Sequence, residues 1–459
     1  MFEHAALEVS PAVAARLPGW RDVTAHLRSR PGGRVVDVLR SAERAGQPVV
    51  QPRCGVGGHR EMLALLRALE PAGPAVLSVT IDSYTRLGQF AEAARVLAEA
   101  PERLNGYPLV AHGWQRGREL VAAVGTPLEV RHGSPDGRDL FATALAAGFT
   151  SFEGGGIGYN LPYCKNVPLA DSLRAWRQID AVCGVLAADG VIVDRELFGT
   201  LTAVLVPPST SIAVTVLEAV SAAREGVRCL SIAYPQGGEI HQDVAALRAI
   251  RTLTARYLGA HVEVFPVLHQ FMGAFPADPA WASGLILYGG LVARLGGAAK
   301  VVSKTDQEAR GLPDATANRR GIRTATVGAS SMFGFVELDE SRVAEELSWI
   351  EREVAELVEP VLGAGDLAAA IEEGFRSGRL DIPFSASRHA RSSIIPRRDA
   401  AGAIRYADSG GLPFSAAVRR RNAVLSDSGG ALRTAGGDET GEMAAMVHDI
   451  SYFSRRDAA

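Results

Sequence analysis

Cysteine is scarce in this chain, and the few cysteines form no motif. They stand at positions 54, 164, 183 and 229, with no Cys-x-x-Cys pair. This spacing argues against a structural zinc site or a disulfide framework and favours a reducing compartment. The ten histidines contain no His-x-His or His-x-x-x-His pair either, so the sequence predicts no metal site.

A strong excess of charge and a long apolar run are also missing. The net charge of −3 at pH 7 argues against nucleic acid or an anionic membrane as the main partner. The longest uncharged stretch, 197–217, contains two prolines and several Thr and Ser residues, which is more typical of a buried strand leading into a helix than of a membrane span. The first residues, MFEHAALEV, carry acids where a secretory signal peptide has a basic start. We therefore expect a cytoplasmic protein.

What the sequence does contain is an alternation of short apolar runs with segments of helical period, such as His59–Leu69 and Gln242–Tyr257. Nine runs have the composition of strands: Pro48–Arg53, Ala75–Asp82, Pro108–His112, Leu128–His132, Thr150–Glu153, Leu201–Val206, Arg228–Tyr234, Val262–Leu268 and Ala299–Lys304. Because parallel strands need crossover helices, the pattern predicts an α/β fold, a (β/α)8 TIM barrel. Nine runs exceed the eight of a barrel, so one should be wrong or lie outside it. A doubly wound open sheet is the alternative, but no Gly-x-Gly-x-x-Gly opens a helix after the first strand.

The chain divides into three predicted parts. Residues 1–45 form an N-terminal extension with a possible helix at Val35–Ala45, and residues 46–320 form the barrel. Residues 321–459 form a C-terminal appendage, helical and irregular, with helices predicted at Arg342–Leu362 and Asp366–Gly378. This appendage would wrap the barrel or meet a partner.

Charged residues recur where the predicted strands end. Arg53, Arg131 and Glu153 each follow an apolar run, and Arg86 stands four residues after Asp82. In a TIM barrel these ends converge on the active site. One arginine there is usually a surface salt-bridge partner, but three guanidinium groups at one mouth suit bidentate binding of carboxylates or phosphates. Together with Glu153 they predict a small dicarboxylate that carries an amine.

The stretch SFEGGGIGYNLPYCKN, residues 151–166, begins within the fifth of the nine runs. It combines Glu153 with three glycines, Tyr159 and Tyr163. Three consecutive glycines disfavour helix and strand, so the stretch is predicted to be a loop whose backbone approaches something closely. Lys304 ends the last run, where it is either a Schiff-base nucleophile with a lowered pKa or, with Lys300 and Glu308, part of a solvated helical face.

Nine motifs in this order resemble the epsilon subunits of glutamate mutase, also called methylaspartate mutase. They lie between residues 53 and 318 and read RCGVG, TIDSYTR, RHGSPDGR, FEGGGIGYNLPY, DRELFG, LVPPS, QDVAALRA, HQFMGAFPAD and AKVVSKTDQEARGLPDATAN. The resemblance implies a TIM barrel that binds L-glutamate and the adenosyl part of adenosylcobalamin, and a radical rearrangement to L-threo-3-methylaspartate. It also implies a small cobalamin-binding sigma subunit with an Asp-x-His-x-x-Gly motif, which this chain lacks. Two epsilon and two sigma subunits would form a heterotetramer around an epsilon homodimer.

The resemblance assigns roles to individual positions. Arg53, Arg86 and Arg131 would hold the substrate carboxylates and Glu153 its amine, with Arg131 and Glu153 as the catalytic pair. Further substrate contacts would be His132, Tyr159 and Tyr163. The implied cofactor contacts are Gly55, Pro162, Phe275, Lys304, Glu308 and Leu312. The three glycines would leave room for the corrin, and Ala111 replaces an asparagine that meets the cofactor, which would cost about 1 kcal/mol of cofactor binding.

Two other functions fit the same residues. A Schiff-base aldolase or lyase on a TIM barrel would use Lys304 as its nucleophile. A non-catalytic, mutase-derived binding subunit would keep the three arginines but would not turn over glutamate.

Overall fold

Eight parallel strands form one sheet, in which chain neighbours pair from the second strand to the eighth and the first strand pairs with the eighth. The computed structural model describes residues 7–29, 33–200, 202–311, 313–428 and 439–455. The strands are β1 Val49–Pro52, β2 Leu77–Thr80, β3 Leu128–Arg131, β4 Ser151–Glu153, β5 Asp194–Leu197, β6 Cys229–Pro235, β7 Glu263–His269 and β8 Lys300–Ser303. The amide of Ala75 donates to the carbonyl of Val50 at 3.1 Å, and that of Thr80 donates to the carbonyl of Cys54 at 2.8 Å. These two bonds place the second strand beside the first, so the sheet curls into a barrel. The predicted TIM barrel is confirmed.

The strands alternate with helices, and further helices precede and follow the barrel. In chain order they are α1 Pro11–Ala14, α2 Trp20–Arg28, α3 Val35–Ala45, α4 His59–Leu69, α5 Ser83–Arg86, α6 Phe90–Glu99, α7 Leu109–His112, α8 Trp114–Ala122, α9 Arg138–Ala147, α10 Leu169–Ala188, α11 Pro208–Arg224, α12 Ile240–Tyr257, α13 Pro279–Leu295, α14 Ala315–Ala329, α15 Glu340–Leu362, α16 Leu367–Ser377, α17 Ala416–Ser428 and α18 Glu439–Ile450. None of these described helices is long and apolar enough to cross a membrane.

Two of the nine predicted strands are wrong. The run Pro108–His112 contains the short helix α7, and the described part of Leu201–Val206 contains a 3-10 turn at Thr202–Val204. The missing strand is β5, whose sequence DREL is almost wholly charged yet fully buried. An apolar pattern cannot reveal a strand whose charged side chains are paired inside the protein. As a result, Glu153 ends the fourth strand and not the fifth.

The helix predicted at Val35–Ala45 is confirmed as α3, and its position explains where the barrel is open. Its apolar residues Val35, Val36 and Leu39 pack with Val76 and Phe265, from the N-terminal ends of strands β2 and β7. Arg40 on the same helix pairs with Glu263 at the start of β7. Because α3 covers the N-terminal end of the barrel, a ligand has to enter at the opposite mouth.

The C-terminal segment packs on the outside of the barrel. Helices α15 and α16 confirm the two predicted helices, and α15 packs against α11 and α12. A hairpin of β9 Ile395–Arg398 and β10 Ile404–Asp408 follows. Helix α14 runs across residue 320, and the division of the chain at residues 45 and 320 stays a prediction.

Candidate active site

The strand-end residues singled out in the sequence lie at the C-terminal mouth of the barrel. Arg131 and Glu153 are the last residues of β3 and β4. Arg53 directly follows β1, and Lys304 directly follows β8. Arg86 ends the single turn α5, which begins after Asp82 because the Asp82 carboxylate accepts the amides of Tyr84 and Thr85.

Arg131 lies at the centre of a buried group of acids. Its Nη1 donates to Glu129 Oε1 at 2.7 Å and to Glu196 Oε1 at 3.1 Å. Its Nη2 contacts Glu153 Oε1 and lies 3.3 Å from His269 Nε2. Burial opposes the charge, but the three acids together raise the pKa of Arg131 well above its ordinary value. The guanidinium is therefore held in one orientation by acids on three strands and by His269 on a fourth.

A second layer of charge lies deeper inside the barrel. Lys300, one of only three lysines in the chain, has its Nζ 2.6 Å from Glu129 Oε2 and 2.5 Å from Glu196 Oε2. The Ser151 hydroxyl lies 2.8 Å from Asp194 Oδ2 and 3.1 Å from Glu129 Oε2, so its single proton bridges two acids. This layer anchors the acids that orient Arg131.

Sequence reasoning did not single out Glu129, Asp194, Glu196 or His269. It considered Lys300 only as part of a solvated helical face, which is wrong because Lys300 is fully buried on β8. One local signal existed for Glu129: in LEVR it stands two residues before Arg131, so both side chains project from the same face of a strand. The others are brought into contact only by the closed sheet.

Glu153 has the pKa of a group that exchanges protons near neutral pH. Burial raises its pKa to about 7; Arg131 opposes this rise, and Glu196 and Glu129 add to it. A carboxyl group with such a pKa, in a cleft and beside a cation, is typical of an acid–base or ligand-binding residue.

Three aromatic side chains, His132, Tyr159 and Trp176, pack together beside Glu153, and two of their buried polar atoms are incompletely hydrogen-bonded. His132 stacks on Trp176 with ring centroids 5.6 Å apart and meets Tyr159 edge-on. The Ser134 amide donates to His132 Nδ1 at 3.1 Å, so the proton of the neutral ring is assigned to Nε2. Burial, followed by the charge of Arg195, holds the pKa of His132 well below its ordinary value. By distance and angle, neither His132 Nε2 nor the Tyr159 hydroxyl forms a hydrogen bond to a described residue. Both groups nevertheless interact with Glu153, the ring with its backbone and the phenol with its carboxylate. Incompletely satisfied buried groups of this kind are typical of a ligand site.

Arg53 and Arg86 differ from the deeper arginines. Arg131 and Arg195 are ion-paired, whereas neither Arg53 nor Arg86 forms an ion pair with a described residue, and Arg86 Nε has no hydrogen-bond partner there. Both side chains are half-buried. An unpaired, partly desolvated guanidinium is a strong binding group for a carboxylate.

Tyr163 lies at the rim of the mouth, where the charges of Glu153 and of the three arginines all act on its phenol. Desolvation raises the pKa of its phenol to about 12, and Glu153 adds to the rise while Arg53, Arg86 and Arg131 oppose it. The residue is nevertheless 48% exposed. A concave mouth accounts for both values, because a ring there has many neighbours and still meets water.

The residues assigned to the cofactor lie around the same mouth. Lys304 is buried, and its Nζ lies 2.7 Å from Glu308 Oε2. Burial, followed by the charge of Arg53, lowers the pKa of Lys304 to about 8. Phe275 is buried and Pro162 half-buried. Leu312 lies outside the described residues.

Glycines at this mouth serve packing within the chain. A Cβ atom at Gly55 would lie 2.4 Å from the carbonyl oxygen of Thr80, so only glycine lets the first two strands approach there. A Cβ at Gly154, Gly155 or Gly156 would meet Trp176 at 2.4 Å, Glu218 at 2.3 Å or Leu173 at 3.0 Å. The prediction of a closely approached loop is therefore confirmed. The idea that these three glycines leave room for a corrin is wrong, because all three are buried against the chain's own residues.

Replacing Gly155 by alanine is expected to lower the free energy of unfolding by about 1–3 kcal/mol. The new methyl group would overlap the Glu218 carboxylate, which two backbone amides hold in place. Urea unfolding of the purified chain measures the change. Gly284→Ala is the matched control, because a Cβ there meets nothing within 4 Å and alanine favours a helix interior by about 1 kcal/mol. Equal stability of the two variants would contradict the packing argument.

The site has the acids and histidine of a metal site but already contains a cation. One ligand atom each of Glu153, Glu196 and His269 lie within 4.8 Å of one another. The Arg131 guanidinium contacts all three residues. It supplies the positive charge that a metal ion would bring, so we interpret the cluster as an arginine-centred site.

Known proteins resemble this chain over most of its length. A family model described as "Methylaspartate mutase E chain (MutE)" matches residues 31–429. The glutamate mutase epsilon subunit of Haloarcula marismortui is 44% identical over 370 residues, covering 79% of this chain and 76% of that protein. That of Desulfitobacterium hafniense is 41% identical over 396 residues, covering 83% and 81%. A solved structure of tryptophan synthase subunit alpha from Legionella pneumophila matches 65% of this chain and 99% of that chain at 12% identity, with a TM-score of 0.36; a likeness this low says nothing about function.

Proposed function

Because the chain belongs to the methylaspartate mutase E chain family, we propose that it is the catalytic subunit of an adenosylcobalamin-dependent glutamate mutase. It would convert L-glutamate to L-threo-3-methylaspartate by a radical rearrangement of the carbon skeleton. The observation that carries this proposal is the buried contact of Arg131 with Glu153. Two further guanidinium groups at the same mouth, those of Arg53 and Arg86, form no ion pair with a described residue.

Glutamate matches this arrangement group by group. It carries two carboxylates, which suit Arg53, Arg86 and Arg131, and one ammonium group, which suits Glu153. Without substrate, Arg131 and Glu153 pair with each other. Substrate would separate them, since its carboxylate replaces Glu153 on the arginine and its ammonium replaces the arginine on Glu153. His132 and Tyr159, which both interact with Glu153, would donate hydrogen bonds to the bound ligand.

The residues at the mouth also fit the adenosyl group of the cofactor. The Lys304 ammonium and the Glu308 carboxylate, 2.7 Å apart, offer one donor and one acceptor to a ribose diol, and Phe275 and Pro162 offer apolar surface. When bound, adenosylcobalamin would supply the homolytic bond cleavage that starts hydrogen abstraction. Gly55 would contribute only backbone, because its side-chain position is filled by Thr80.

The chain's own contribution to the rearrangement is to hold the reacting fragments and to exclude water. Fragments that drift apart cannot recombine at the neighbouring carbon. Arg131 is suited to prevent this, because Glu129 and Glu196 fix its guanidinium from below. Glu153 would hold the amine and, with a pKa of about 7, could share its proton.

We further propose that a separate cobalamin-binding sigma subunit docks at the mouth, in a cytoplasmic heterotetramer of two epsilon and two sigma subunits. The proposal is supported by the family and by the lack of an Asp-x-His-x-x-Gly motif in this chain.

The proposal is tested by mixing the chain with a matching sigma subunit, adenosylcobalamin and L-glutamate. We expect the methyl doublet of 3-methylaspartate in the proton NMR spectrum. Glutamate binding without this doublet would favour the non-catalytic binding subunit and reject the mutase.

One observation favours a different class of enzyme. A buried lysine with a pKa lowered to about 8, such as Lys304, is typical of Schiff-base enzymes. We expect no Schiff base, because Lys304 Nζ is occupied by Glu308. Borohydride treatment with 2-oxoglutarate should leave the mass of the Lys304 peptide unchanged, with the exposed Lys165 as an internal control for non-specific labelling. A reduced adduct confined to Lys304 would support the hypothesis of a Schiff-base aldolase or lyase.

A further inference from the structure

Arg195 on β5 is fully buried, and the proposed reaction gives it no role, although Glu196 beside it in the motif DRELFG orients Arg131. Its Nη1 donates to the Phe152 carbonyl at 2.5 Å and its Nη2 to the Gly154 carbonyl at 2.7 Å. Its Nε donates to Asp180 Oδ1 on α10 at 2.8 Å. The guanidinium also lies over the Trp176 ring, 4.7 Å from its centroid.

These bonds hold the backbone on both sides of Glu153. The acceptors are the carbonyls of the residues directly before and after it, so one rigid guanidinium spans the backbone that carries the carboxylate. The Gly154 amide donates to Glu196 O at 2.7 Å, and Gly154 has a φ of 124°, which favours glycine. The direction of the Glu153 side chain is therefore set by contacts outside its own carboxylate.

Glu218 on α11 holds the next part of the same segment with the opposite charge. Its Oε1 accepts the amides of Ile157 and Gly158 at 2.7 and 2.8 Å. The residue is buried and packs directly under Gly155. It fixes the turn that leads to Tyr159.

We propose that Arg195 and Glu218 are positioning residues that hold segment 152–158 from its outer side, so that Glu153 and Tyr159 face the substrate. This inference rests on the proposed function, because it takes Glu153 to bind the substrate ammonium. Arg195 is 0% exposed and acts through Glu153. Its loss should therefore weaken recognition of the amine more than recognition of the carboxylates.

Lysine cannot replace Arg195 in this role. A single ammonium group lacks the planar fork that reaches two carbonyls and an aspartate at once. One of the carbonyls flanking Glu153 would lose its donor, and the carboxylate would shift.

The test compares two ligands that differ only in the amine, L-glutamate and glutarate. Calorimetric titration uses the complex of the full chain with its sigma subunit and hydroxocobalamin, which cannot start turnover. We expect Arg195→Lys to weaken L-glutamate binding about tenfold and glutarate binding less than about twofold. Asp180→Asn keeps the shape of the residue that holds Arg195 and should give the same selective loss, about threefold. The Asp180→Asn variant keeps the test decisive if Arg195→Lys does not fold.

Two comparisons separate positioning from general stability. Arg405→Lys alters another buried, ion-paired arginine, in the β9–β10 hairpin, and should leave the ratio of the two affinities unchanged. Glu218→Ala should reduce that ratio, and Glu218→Gln should restore it because the amide oxygen still accepts both backbone amides.

The outcomes also distinguish this inference from the proposed function. If the unaltered protein prefers glutamate but the Arg195 and Asp180 variants lose affinity for both ligands equally, or for neither, the positioning role is rejected. If the unaltered protein binds glutamate no more tightly than glutarate, the proposed role of Glu153 in binding the substrate ammonium is rejected, whatever the variants do.

Discussion

Replacement of Arg131 by lysine is expected to lower kcat by about two orders of magnitude, because displacements near 1 Å at a reacting centre have effects of that size. The guanidinium now reaches Glu129, Glu196 and Glu153 at once. A lysine ammonium keeps the charge but cannot match the directions of three carboxylates. Turnover by the reconstituted enzyme, followed by the methyl doublet of the product, measures the loss.

The control for Arg131→Lys is Arg174→Lys on α10. Arg174 is exposed and pairs with Asp171, three residues earlier in the chain. Exposed pairs of this kind contribute about 0.5 kcal/mol or less, so this variant should keep the unaltered kcat. Near-full activity of Arg131→Lys would reject the role of Arg131 in holding the substrate.

Replacement of Glu153 by glutamine is expected to lower kcat/KM about a hundredfold at pH 8 and to remove its dependence on pH around 7. In the unaltered enzyme the pKa of Glu153 is about 7. Only the ionised carboxylate attracts the ammonium group, so kcat/KM should rise about tenfold from pH 6 to pH 8. A profile of kcat/KM against pH for both proteins measures this. An unchanged rise in the variant would assign the titration to another group.

The same substitution should change stability in the opposite direction. The ordinary pKa of the group is 4.5 and the folded value is about 7, so between these values the folded state binds the proton more tightly. The contribution of Glu153 to stability is therefore fully present below pH 4.5 and is lost as the pH rises to about 7. Glu153→Gln should be more stable than the unaltered protein at pH 8 by about 1–3 kcal/mol, since one pKa unit corresponds to about 1.4 kcal/mol. At pH 5 most of this advantage should vanish.

Urea unfolding at pH 5 and pH 8 measures that difference, with Glu345→Gln as the control. Glu345 is an exposed glutamate on α15, so its substitution should change stability by less than about 0.5 kcal/mol at either pH. A Glu153→Gln variant that is less stable than the unaltered protein at pH 8 would show that the pairing of Glu153 with Arg131 outweighs its burial.

For the glycine-rich stretch 151–166, the predicted local structure was correct but the predicted reason for it was wrong. Three glycines in a row indicate a backbone under close approach, and they do lie in a tightly packed loop. The approaching groups are Trp176, Glu218 and Leu173 of the same chain, which follow tens of residues later. Nothing in the local sequence says whether such a neighbour is a ligand or another part of the chain.

The sequence by itself determined the alternation of strands and helices, the helix at Val35–Ala45 and the charged residues at the strand ends, because these follow from short-range periodicity. The ordered motifs likewise indicated the family. Tertiary structure alone decided that DREL is a buried strand and that Lys300 lies 2.6 Å from Glu129, 171 residues away in the chain. It also decided that Arg195 clamps the backbone around Glu153. These features depend on pairing buried charges across a closed sheet, and such pairs are set by three-dimensional distance, which local spacing does not encode.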